Sequence, residues 1–77
     1  MKTDDKWVNL VKGILRAEMT RRAITYDQLS ERLAERGAHE TPVNLRNKVA
    51  RGGFSAAFFI QCLAAIGTRE LHLSYDD

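Results

Sequence analysis

At 77 residues, 44% of them hydrophobic and 29% charged, the chain has the composition of one small folded domain and not of a disordered tail. No run approaches the roughly 18 apolar residues of a membrane span, and a formal charge of +2 is too small to announce a polyanionic partner by itself. The single cysteine, Cys62, excludes an internal disulfide; within the apolar run of Phe58, Phe59, Leu63 and Ile66 it is expected as a buried structural thiol. The polar stretch from Lys2 to Lys6 carries no secretory pattern, so the expected location is the cytoplasm.

The first expected helix spans about residues 4–22, with Thr3 or Asp4 as its cap and acids in its first turn. Trp7, Leu10, Val11, Ile14 and Glu18 share one face, with Leu15 and Met19 at its edges. Arg16, Arg21 and Arg22 load the C-terminal half, where they suit the helix dipole. Gly13 is expected to allow a neighbouring helix to approach closely.

Thr25-Tyr26-Asp27-Gln28 opens a second helix over about 25–36, with Thr25 and Gln28 forming a capping box and Ile24 as a staple against Leu29. Leu29, Leu33 and Tyr26 mark its buried side. Glu31, Arg32, Glu35 and Arg36 alternate in sign on the other, and Gly37 ends it.

Thr41 then caps a third helix, residues 42–51, with Pro42 at its first position and Gly52-Gly53 ending it. Pro42, Leu45 and Val49 form a narrow apolar stripe. Asn44, Asn47, Lys48 and Arg51 cluster opposite, with Val43 and Arg46 at the margins. Amides pair with adenine edges, and Arg or Lys with guanine and phosphate oxygens. No acid lies between Glu40 and Glu70 to repel a polyanion.

Ser55 caps a last helix over about 55–66, closed by Gly67 and apolar nearly all round, which is expected in the middle of a bundle or at a subunit interface. Leu71, Leu73 and Tyr75 then alternate with His72 and Ser74, a short strand signal over 70–75. Such a lone strand either packs as an extended tail or pairs with the same segment of a second copy, making a homodimer. The expected fold class is all-α: a four-helix bundle with a short extended or β C-terminal segment.

Enzyme chemistry finds little support. His39 and His72 have no partners at metal-ligand spacing, Cys62 has no nearby base, and no phosphate-binding fingerprint surrounds Gly52-Gly53. No catalytic residue, metal or cofactor is expected.

The Thr25-capped helix, Leu29-Ser30, the run Val49-Ala50-Arg51-Gly52 and the Phe59/Leu63/Ile66 helix together resemble the small helix-turn-helix domains of the lambda-repressor and Cro type, over roughly residues 24–67. Asn44 to Ser55 also resembles an uncharacterised bacterial family of unknown function. The first resemblance implies a transcriptional or nucleoid-associated regulator that places helix 42–51 in the major groove of duplex DNA. It implies Thr41, Asn44, Asn47 and Lys48 at base edges, Arg46 and Arg51 on phosphates, and Thr25 and Tyr26 near the backbone. The chain departs from that pattern in a longer connection between Ser30 and Leu45, in Ser30 for the usual Ala, and in Leu45 and Val49 being four apart. These imply an unusual angle for the second motif helix. The rival expectation is a protein-interaction module on the same fold, binding through helix 55–66 and the 71–75 segment.

Overall fold

The computed structural model describes residues 4–75, with side chains from Lys6 onward. Four helices follow one another: α1 (Asp4–Arg21), α2 (Tyr26–Glu35), α3 (Pro42–Arg51) and α4 (Ala56–Ala65). Each bound lies within one residue of the expected segment, with Thr25 and Ser55 standing just outside as caps. Thr3, named above as an alternative cap of the first helix, lies outside the described residues.

Short polar caps fix where three of the helices begin. Thr25 Oγ1 accepts from Gln28 N at 3.1 Å while Gln28 Oε1 accepts from Thr25 N at 2.9 Å, a reciprocal pair that satisfies two of the orphan donors of α2. Thr41 Oγ1 accepts from Asn44 N at 3.1 Å and Ser55 Oγ from Phe58 N at 3.0 Å. Each such cap stabilises its helix by about 1 kcal/mol.

α2 packs on both α3 and α4, and α1 packs on α4. The core between them holds Leu15 and Met19 of α1, Leu29 and Leu33 of α2, Leu45 and Val49 of α3, and Phe58, Cys62, Leu63 and Ala65 of α4, closed by Ile66. The face of α1 differs from expectation. Leu15 and Met19 are the buried pair, and Trp7 is 44% exposed. The apolar arc of α1 is wider than one interface: Leu15 and Met19 meet the core, Ile14 and Ala17 line a cleft shared with Leu71 and His72, and Trp7 meets the ring of Tyr75 edge-on at 5.4 Å. A stripe read by period alone cannot say which half of such an arc the bundle takes.

Gly13 is also corrected. It is exposed, and a Cβ there would meet nothing within 4 Å. The close approach occurs at Gly52 instead, against Val8 of α1, where Lys12 Nζ also donates to Ala50 O at 2.8 Å. Glu18 ties the other end of α1 to the end of α4. Its Oε1 accepts from Arg22 Nη1 and from Thr68 Oγ1, both at 3.0 Å, and Arg22 Nε reaches Ile66 O at 3.2 Å.

The expected C-terminal strand does not form. Among the described residues there is no strand, and 68–75 carries no regular structure. One strand in a helical chain has no ladder partner for its N–H and C=O groups, so alternation of Leu71, Leu73 and Tyr75 is not enough to make one. All three are exposed, at 38%, 58% and 51%.

Candidate nucleic-acid interface

Complete burial of Leu45 and Val49 fixes the rotation of α3 about its axis. At 100° per residue, the side farthest from those two carries Asn47, flanked by Val43, Asn44, Ala50 and Arg51. All five are exposed. Thr41 is exposed at the N-terminal end of the same helix, its hydroxyl oxygen engaged by Asn44 N. Val43, at 59% exposure, stands farther out than its marginal position on the sequence wheel indicated. An apolar group there has the chemistry to meet a thymine methyl. Its place about 160° around the helix from Leu45 was the available signal.

Arg46 leaves the helix on the side facing α2. Its guanidinium lies 5.5 Å from the centre of the Tyr26 ring, so the two candidates taken from separate helices are in contact. Thr25 and Tyr26 line one side of a shallow cleft of about 470 Å³, with Arg46 and Arg16 also on its wall. Arg16 was read from the sequence as a helix-dipole residue only. The structure distinguishes it from its neighbours: Arg22 is bonded to Glu18 and to Ile66 O, and Arg21 lies 3.7 Å from Glu18. Arg16 stays exposed on the cleft wall. Its participation depends on how the turn over 22–25 brings the start of α2 beside α1, which no pattern within α1 encodes.

Lys48 behaves differently from the other candidates. Its ammonium sits 2.9 Å from Glu40 Oε2 and 4.5 Å from the centre of the Phe58 ring, with 32% of the side chain exposed. Ser30 Oγ donates to Glu40 O at 2.6 Å, which fastens the connection between α2 and α3 to α2. Lys48, a base-edge candidate in the sequence, is thus held in an ion pair beside the face that carries Asn44 and Asn47. The physical reason is the long connection itself, which brings an acid back alongside the helix it precedes.

Asn44, Asn47, Arg46 and Arg51 thus offer planar amides and guanidinium forks, the geometries that pair two-pronged with base edges and phosphates. Cys62, fully buried, has its thiol pushed up to about 12, chiefly because burial disfavours the thiolate, with a smaller opposing effect from Lys48. It is protonated at neutral pH and so is a poor nucleophile. Among the described residues no cluster of His, Cys, Asp and Glu could hold a metal ion, and no helix is long and apolar enough to cross a membrane.

A family model described as "Domain of unknown function (DUF6471)" matches residues 7–71. The chain belongs to that family. The DUF6471 match takes in α2, α3 and α4 whole and α1 from Trp7 onward, so every candidate residue of the α3 face and of the Tyr26 cleft lies inside it. It agrees with the resemblance seen in Asn44 to Ser55 to a family of unknown function. Comparison with curated proteins found no match, and comparison with solved structures found none.

Proposed function

We propose that this DUF6471 chain is a sequence-specific binder of duplex DNA, a helix-turn-helix domain that lays the outward face of α3 in the major groove. The observation that carries the reading is the outward cluster of Asn44, Asn47 and Arg51, unobstructed by the protein's own core, with Arg46 and Tyr26 joining it to the start of α2. Asn44 and Asn47 read base edges, Val43 offers an apolar contact, and Arg46, Arg51 and Arg16 take phosphates. The biological role is transcriptional or nucleoid-associated regulation, acting in the cytoplasm as a homodimer on half-sites about 10–10.5 base pairs apart.

Selection of bound fragments from random duplex, followed by titration of the winner, tests the proposal. Three phosphate contacts in each subunit, six in the homodimer, at about 0.9 each correspond to a log–log salt slope near −5.4. Absence of any enriched sequence, together with no salt-dependent binding, would remove it.

A second reading is a protein-interaction module on the same fold. It is favoured by Ile60, 58% exposed on a helix without a charged residue, and by the exposed Leu73 and Tyr75. Leu73→Asp separates the two: under the first it breaks the dimer and weakens duplex binding secondarily, and under the second it abolishes partner capture.

A further inference from the structure

The two flanks of α3 carry one cation each and hold it in opposite ways. Measured from Asn47, Arg46 lies about 100° to one side and Lys48 about 100° to the other. Arg46 is exposed and rests on Tyr26, an aromatic face that leaves its charge unneutralised. Lys48 is mostly covered, its ammonium met by Glu40 at 2.9 Å and set 4.5 Å from the centre of the Phe58 ring. Glu40 is not a loose surface acid, because Ser30 Oγ holds its backbone carbonyl at 2.6 Å from within α2.

We propose that Glu40 governs the strength of duplex binding by withholding Lys48 from phosphate, so that on α3 the DNA backbone is gripped by Arg46 and Arg51 and not by Lys48. This rests on the duplex-binding reading above. An ammonium already neutralised by an adjacent carboxylate displaces no counterion from DNA, and so adds nothing to the salt-dependent part of affinity. Pulling it away would leave Glu40 unpaired beside the phosphates, a like-charge contact that opposes the exchange. Sequence-independent attraction is thereby kept low on the Glu40 side, and the amides of Asn44 and Asn47 carry a larger share of binding. Glu40 thus acts as a specificity-determining residue although it touches no base.

The test is fluorescence anisotropy with labelled duplex at 0.05 and 0.2 M salt for the wild type, Glu40→Gln and the double variant Glu40→Gln/Lys48→Met. Glu40→Gln leaves the backbone bond from Ser30 in place. It should bind tighter than wild type at low salt, with a slope steeper by about 0.9 for each bound subunit, about 1.8 for the homodimer, so that the dimer's advantage shrinks roughly 12-fold between the two salt concentrations. The double variant should return to the wild-type slope. A Glu40→Gln slope equal to wild type would overturn the proposal. So would a double variant shallower than wild type by about 0.9 for each bound subunit, since Lys48 would then be touching phosphate already. Should the double variant fail to melt cooperatively, the slope of Glu40→Gln alone decides. No duplex binding by either the wild type or Glu40→Gln would overturn the functional reading and this proposal together.

Discussion

Gly52 is pressed against Val8: a Cβ placed on Gly52 would collide with Val8 Cγ1, and the contact joins the end of α3 to the first half of α1. The backbone of Gly52, at φ 70° and ψ −164°, lies in a region essentially closed to side-chain-bearing residues. Steric and conformational demands therefore coincide at this one position. The join matters because α3 presents the proposed reading face and α1 supplies Arg16 to it.

Gly52→Ala should destabilise the fold by about 2 kcal/mol or more, since backbone strain and overpacking both contribute. Gly53→Ala is the control. Gly53 also has a positive φ, 66°, but a Cβ there would meet nothing within 4 Å, so about 1 kcal/mol is expected. Thermal melting followed by circular dichroism distinguishes them. In a domain of this size each kcal/mol corresponds to roughly 4–8 °C in Tm.

Thr41 and Asn47 should separate stability from binding. Thr41→Ala removes the acceptor that Asn44 N uses at 3.1 Å and should cost about 1 kcal/mol of stability, with Thr41→Ser restoring most of it. Asn47, exposed and opposite the core, should be replaceable by Ala within about 0.5 kcal/mol. Duplex discrimination by Asn47→Ala should fall by about 1–3 kcal/mol at one base pair. Melting curves and competition titrations on the same two variants measure both quantities. Equal loss of stability at the two positions would contradict the assigned roles.

The parts legible in the sequence are those decided by neighbours along the chain. Thr25 with Gln28, Thr41 just before Pro42, and Ser55 before an apolar run each announce a helix start through groups within three residues of one another, and the structure places a cap at each. The outward face of α3 is legible for the same reason, because Leu45 and Val49 fix it from within one helix. What was missed depends on contacts between distant segments. Lys48 meets Glu40 only through the path of the 36–41 connection, and Arg16 shares a cleft with Tyr26 only through the turn over 22–25. Trp7 was placed on the buried face because the apolar arc of α1 serves both the core and the C-terminal segment. The 70–75 strand failed because alternation describes a strand's faces but supplies no hydrogen-bonding partner.

Cys62 gives a prediction in the alkaline range. Its folded thiol is raised to about 12 from the ordinary 9.0. The unfolded chain therefore releases this proton from about pH 9 upward while the folded chain keeps it. The contribution to stability is whole below the unfolded value and is lost as pH rises toward the folded one. Between those limits stability should fall by about 1.4 kcal/mol per pH unit more steeply than in Cys62→Ala, compared in denaturant titrations of both proteins. Parallel pH dependences would mean that the thiol is not shielded. The same burial predicts no reaction with aromatic disulfides at neutral pH until the protein unfolds.

The most direct measurement is the affinity of the wild-type chain for its best selected duplex, against a scrambled duplex, across a series of salt concentrations. Binding of the selected sequence tighter than the scrambled one, with affinity falling linearly on a log–log salt plot and both differences reduced by Asn47→Ala and Arg51→Ala, is the predicted result. Affinity no better than roughly 10⁻⁴ M for every duplex, the weak limit of non-specific association, would contradict it.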